Sequence, residues 1–180
     1  MTTSRSRLRT LDLAYIALFS VLIAISSWLS IPFPVPFTLQ TFAVFLTLMT
    51  LGGQRGFYAV LVYLLMGAAG LPVFSGFQGG FGVFLGATGG YLTGFLASAF
   101  LYRILTSKHA SPSRTVIAAL AGLLTCYSIG TLWFSVGYAS ESVAGIRAAL
   151  LLCVVPYVIP DLVKLALAFV LSRRLKQYLK

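Results

Sequence analysis

Apolar residues dominate the chain in long runs, broken by short polar, glycine-rich or proline-rich stretches. Runs matched to a hydrocarbon core about 30 Å thick fall at residues 11–30, 37–53, 56–73, 84–105, 115–137 and 148–171. The pattern predicts an all-α, polytopic membrane protein of about six transmembrane helices, forming one domain over residues 1–180. The second and third runs are short and interrupted by glycine, so they either tilt or stop short of a full crossing. The first run follows Arg5, Arg7 and Arg9, with Ala24-Ile25-Ser26 as a loose cleavage match. A signal core is about 7 to 15 residues long, and this run of roughly 20 reads instead as helix one.

Two of the breaks are unusual. Residues 31–40 carry Pro32, Pro34 and Pro36 at alternate positions, which fixes φ, removes three donors and predicts a stiff, extended, apolar loop. Residues 70–82 alternate glycine with aromatics and contain no charge. Irregular backbone near membrane depth is tolerated where protein covers it or water lines it, so both segments are expected to fold over the bundle. The plainer alternative is that Pro and Gly only terminate helices.

Composition agrees with the runs. Apolar residues make up 59% of the chain and charged residues 9%, against about 25% in a soluble domain. The formal net charge of +10 would suggest nucleic acid in a soluble protein. Here the basic residues lie outside the runs, which is the membrane-orientation pattern and gives no nucleic-acid partner. Arg5, Arg7, Arg9, Arg55, Arg103, Lys108, Arg114, Arg173, Arg174, Lys176 and Lys180 fall on one side of a six-span arrangement, and Arg147 and Glu141 on the other. Both termini are therefore expected in the cytoplasm.

Candidate chemistry is sparse. Cys126 and Cys153 lie inside apolar runs and His109 in a polar loop, so no disulfide framework or metal site is expected. The glycine-rich stretch lacks the Gly-Lys-Ser/Thr ending of a phosphate loop. Gly86, Gly89, Gly90 and Gly94 read as close helix packing, with ligand approach as the alternative. Asp161 and Lys164 lie well inside the last run, where each charge costs about 2.5 to 3.5 kcal/mol. At spacing i, i+3 they share one helical face, just after Pro156 and Pro160.

The pair reads as a ligand anchor, Lys164 meeting an anion and Asp161 accepting N–H donors, with a structural brace as the alternative. Such a site suits a small amphipathic acid. Thr38, Gln40, Gln78, Thr88 and Tyr91 are uncharged polar groups placed to orient it. Trp28 and Trp133 either belong to an interfacial belt or pack against a ligand ring. Ala17, Ser20 and Ala24 form a small-residue stripe on helix one, suited to internal packing or to docking another membrane subunit. No catalytic constellation is expected.

Several segments in register resemble the biotin-specific BioY family, the substrate-capture (S) components of energy-coupling factor (ECF) vitamin transporters. They are Pro34-Val35-Pro36-Phe37-Thr38-Leu39-Gln40-Thr41, Gly52-Gly53-Gln54-Arg55-Gly56, Gly67-Ala68-Ala69-Gly70-Leu71-Pro72-Val73-Phe74, Gly86-Ala87-Thr88-Gly89-Gly90-Tyr91-Leu92, Gly130-Thr131-Leu132-Trp133 and Pro160-Asp161-Leu162-Val163-Lys164. Two departures stand out: Ala87, where the family has proline, and Val21, where its helix-one docking motif has a small residue.

The resemblance implies the S-component fold in the cell membrane, biotin as transported ligand without a cofactor, and Asp161 and Lys164 as the polar anchor. Gln40, Thr38, Gln78, Tyr91 and Trp133 are the further ligand-binding candidates, and Ala17, Ser20 and Ala24 the docking candidates. It further implies a membrane coupling (T) subunit and two ATPase subunits as partners, since no ATPase motif is visible in this chain. The rivals are capture of another small vitamin, an integral membrane enzyme acting on a lipid or prenyl substrate, and a structural subunit.

Overall fold

The structure is a computed structural model that describes residues 9–32, 36–106, 110–137, 147, 150–151 and 153–178. It is helical almost throughout, as the apolar runs predict. α1 spans Thr10–Trp28, α2 Gln40–Ala68, α3 Gly82–Leu85, α4 Gly89–Leu105, α5 Pro112–Gly137 and α6 Val155–Leu175. Two short antiparallel strands, β1 Ser30–Ile31 and β2 Phe37–Thr38, frame the proline loop, and a single 3-10 turn covers Ser75–Phe77. α1, α5 and α6 are long and apolar enough to cross a membrane. They carry exposed aliphatic side chains such as Leu18, Leu124 and Ile159, as a lipid-facing surface requires.

α2 contains the second and third predicted spans. Gly52 sits at φ 80 and ψ 171, a conformation open essentially only to glycine, and folds the helix back on itself. The side chain of Gln40 therefore reaches the hydroxyl of Tyr63 at 3.0 Å, whereas a straight helix would separate these residues by about 35 Å. The two limbs are about 18 and 24 Å long, shorter than the hydrocarbon core, as the sequence suggested.

Residues 43–50 of the first limb are buried in succession, so this limb is the centre of the bundle rather than a lipid-facing span. Among the described residues no atom lies within 4 Å of a Cβ added at Gly52, so the requirement there is conformational. Gly52→Ala is expected to lower stability by about 1 to 3 kcal/mol, seen as a lower unfolding temperature in detergent.

The other boundaries differ from the apolar runs for local reasons. The helix expected from residue 37 starts at Gln40, because Phe37 and Thr38 pair with Ile31 and Ser30 as a strand. Thr38 Oγ1 then accepts the Gln40 N–H at 3.1 Å. The third span ends at Ala68 rather than 73, before Gly70 turns at φ 100. The fourth splits, because Gly86 is extended and ends α3 before α4 begins at Gly89. α6 runs on past residue 171 to Leu175, since Arg173 and Arg174 are good helix formers and suit a helix C-terminus.

The glycines of α4 and α5 serve helix packing. A side chain at Gly94 would meet Cys126, one at Gly90 would meet Trp133 and one at Gly130 would meet the Tyr91 ring. Ser98 Oγ donates to the Gly122 carbonyl across the same interface at 2.6 Å. At one end of the bundle the basic residues gather. Arg55 pairs with Asp12 at 2.7 Å, the Arg103 backbone lies against Gly53, and Arg114 Nε donates to the Leu105 carbonyl at 2.6 Å. This clustering is what the charge asymmetry of the loops anticipates.

Candidate functional site

At the opposite end lies a cavity bounded by β2, the start of α2, the loop before α3, and α4, α5 and α6. Its walls are mainly apolar and aromatic, with Phe74, Val83, Leu92, Phe95, Leu123 and Tyr157 among them. Residues 70–82 cover it, and their backbone is tied down at several points. Ser27 Oγ donates to the Val73 carbonyl at 2.6 Å and Trp28 Nε1 to the Pro72 carbonyl at 2.8 Å. Phe74 is buried against the backbone of Gly67, edge-on to Tyr63 and Phe84. From the proline loop, Pro36 lines the cavity, while Phe33, Pro34 and Val35 lie outside the described residues.

Asp161 and Lys164 project into this cavity from one turn of α6, at 3% and 6% exposure. Lys164 Nζ donates to Asp161 Oδ1 at 2.8 Å and to the Thr38 carbonyl at 2.7 Å, and stands 3.9 Å from the centre of the Phe37 ring. The other carboxylate oxygen, Oδ2, accepts the Tyr127 hydroxyl at 2.7 Å. The buried cation thus meets a carboxylate, a carbonyl and an aromatic face. Its anionic partner is held from two sides, which offsets the cost of desolvating both charges. Pro160, one residue earlier, has no N–H to give the preceding turn of the helix.

Six of the seven ligand candidates, Thr38, Gln40, Gln78, Tyr91, Asp161 and Lys164, line this one cavity, as does Thr88. Gln40 is buried and its side-chain amide donates to the Tyr63 hydroxyl, whereas Gln78 is exposed at the rim and its backbone carbonyl accepts the Phe74 N–H. The seventh, Trp133, is not brought to the cavity. Its indole N–H donates to the Gly86 carbonyl at 3.0 Å and its side chain rests on Gly90, so it fastens α5 to the start of α4. Trp28 stacks on Phe77 at 5.1 Å on the outside of the covering loop.

The helix-one stripe is likewise divided. Ser20 is buried and donates to the Ile16 and Ala59 carbonyls, and Ala24 is buried in the core, so both pack α1 against α2. Ala17 alone of the three is exposed.

Sequence reasoning missed Tyr127, the cysteines as cavity walls, and Phe37. Tyr127 left a signal: a phenol near the middle of a span, away from either interface, has to find an acceptor. Cys126 and Cys153 face the cavity, with Cys126 Sγ 3.6 Å from the Tyr91 carbonyl.

A helical membrane bundle with a largely apolar cavity and a buried cation–anion pair in its wall has the form of a small-molecule binding protein. The sequence profile described as BioY family matches residues 1–180, and the chain belongs to the BioY family. It is 44% identical over 161 residues to the biotin transporter BioY of Thermotoga maritima, covering 89% of this chain and 92% of that one. It is 33% identical to the biotin transporter BioY of Rhodobacter capsulatus, covering 93% and 94%. Among solved structures, it resembles the S-component for biotin from an ECF-type ABC transporter with a TM-score of 0.78. That match has 28% identity and covers 98% of this chain and 95% of that one.

Proposed function

We propose that this chain captures biotin from the outer side of the cell membrane and delivers it, as the S component of an ECF transporter, to a membrane coupling subunit driven by two ATPase subunits. The observation that carries the reading is the buried Asp161–Lys164 pair in an otherwise apolar, covered cavity. Its relatives' names supply the ligand.

The 2.8 Å separation of the pair bears on how biotin is held. Assigning the carboxylate of biotin to Lys164 and its ureido N–H groups to Asp161 would send opposite ends of one ligand to adjacent side chains. A carboxylate at Lys164 would also approach the Asp161 oxygens, a like-charge contact that disfavours the bound state. The ureido edge offers an N–H and a C=O side by side, the N–H for Asp161 and the C=O for Lys164. We therefore assign the ureido head to the pair, the thioether ring to the aromatic and aliphatic walls, and the acid tail to the rim near Gln78 and Thr88.

Titration calorimetry tests both levels. Biotin is expected to bind tightly and other vitamins not at all; a chain that prefers another vitamin would overturn the ligand. Biotinamide is expected to keep most of the affinity and 2-iminobiotin, altered at the ureido carbon, to lose it. The opposite order would place the carboxylate at Lys164 instead.

Tyr127 holds the Asp161 carboxylate in the orientation this assignment uses. Tyr127→Phe removes one hydrogen bond to a charged group, worth about 1.5 to 3 kcal/mol. Part of this is recovered by relaxation, and biotin affinity is expected to fall about tenfold, or ~1.4 kcal/mol, with the protein still folded.

Docking to the coupling subunit rests here on the exposed face of α1, which presents Ala17 beside Val21. Ser20 and Ala24 support that face from within.

A further inference from the structure

A second cavity, about 720 Å3 in volume, opens at the basic end of the bundle, away from the ligand cavity. It lies between the Gly52 turn of α2, the end of α4, the start of α5 and the residue that follows α6. Three cations line it: Arg55, Arg103 and Lys176. The chain has only three acidic residues. Asp161 is committed to Lys164 in the other cavity, and Asp12 to Arg55 at 2.7 Å. Glu141 lies outside the described residues. Among the described residues, Arg103 and Lys176 have no acidic partner.

Arg103 is held rather than loose. Its guanidinium carbon lies 5.6 Å from the centre of the Phe57 ring and 6.0 Å from that of Tyr58. A guanidinium held over aromatic rings in this way keeps N–H donors for an anion. Lys176 lies beyond the spanning part of α6 and is exposed, yet partial desolvation, then the neighbouring Arg173, lowers its pKa below the ordinary lysine value. A cation held against its desolvation gains from any anion that reaches it.

Helix C-termini meet at this end and explain a basic residue at each. They do not explain Thr50. It lines the same cavity, is 6% exposed, and its hydroxyl is the buried side-chain polar atom left without a hydrogen-bond partner among the described residues. An unmade buried hydrogen bond is costly, so an acceptor brought against this wall gains by reaching the hydroxyl.

We propose that this cavity binds a phosphate group, with Arg103 and Lys176 as its charged ligands and Thr50 as an added donor. The charge rule puts this end at the cytoplasmic leaflet, whose anionic lipids carry such a group at that depth, and basic pockets between helices take lipid headgroups of this kind.

The test uses the full chain, stripped of lipid in detergent, and measures binding of phosphatidylglycerol, phosphatidylcholine and inorganic phosphate by native mass spectrometry and thermal shift. Retention of one phosphatidylglycerol in preference to phosphatidylcholine is expected. Arg103→Gln with Lys176→Gln is expected to weaken it at least tenfold, with biotin binding at the far end unchanged as the check on folding. Thr50→Val, which removes the hydroxyl at nearly constant shape, is expected to weaken it several-fold without loss of thermal stability.

Competition by inorganic phosphate at millimolar concentration would identify free phosphate as the natural occupant and keep the site. Equal retention of both lipids would overturn the proposal, as would phosphatidylglycerol binding untouched by Thr50→Val and by the Arg103 and Lys176 changes. If the double variant does not fold, Arg103→Lys and Thr50→Val decide the matter alone.

Discussion

Lys164→Ala is expected to reduce biotin affinity by about 100-fold or more while the protein still inserts and folds. Lys164 is 6% exposed and gives two hydrogen bonds, to Asp161 and to the Thr38 carbonyl of β2. Removing one partner of a buried, hydrogen-bonded charge pair costs about 2 to 5 kcal/mol, and each 1.4 kcal/mol is about tenfold in affinity. The loss has two sources. The ligand loses its cationic donor, and the segment carrying Thr38 loses the tie that holds it over the cavity. Titration calorimetry on the purified variant measures the affinity, and its elution profile in detergent reports the fold. Unchanged affinity would remove Lys164 from the ligand site.

The same residue shows what was legible in the chain and why. Two ionisable side chains three residues apart inside an apolar run have to share a helical face, so the pair and its direction followed from spacing alone. That Lys164 also reaches Thr38 did not, because the contact joins residues 126 apart in sequence. Tyr127 belongs to the same class: its role depends on how α5 packs against α6, and hydropathy carries no information on that. Phe37 belongs both to the extended loop expected over residues 31–40 and to the run that begins at 37; it lies in a strand, under the Lys164 ammonium, and that contact is invisible in the sequence.

Spans were legible in number better than in kind. The break between the second and third was visible as Gly52-Gly53, but not that one glycine at positive φ would reverse the chain. Nor was it visible that the first limb would become the core. A hydropathy run looks the same whether lipid or protein surrounds it. Trp133 and the helix-one stripe illustrate the converse. Aromatic and small residues at the expected depth fit a ligand wall or a docking face equally well. The structure uses Trp133, Ser20 and Ala24 to pack helices against each other.

The second large effect separates an anchor from a brace. Asp161→Asn leaves Lys164 buried without its carboxylate. It is expected to abolish detectable biotin binding and to lower stability, because an uncompensated buried charge costs about 3 to 5 kcal/mol. That variant alone does not distinguish the two roles, since a brace and an anchor both suffer.

The double variant Asp161→Leu with Lys164→Met does distinguish them. Replacing both members of a buried ion pair with apolar side chains of similar volume is often neutral or stabilising, by about 1 to 4 kcal/mol. Thermal stability is therefore expected to return to the wild-type value or above. Biotin binding is expected to stay absent, because the charged acceptor for the ureido N–H and the charged donor for its C=O are then both gone. Calorimetry and thermal unfolding on the same sample read both quantities. A double variant that recovers stability and biotin binding together would make the pair a brace, and the ligand would then have to be held by the uncharged groups of the cavity, Gln40, Gln78 and Tyr91.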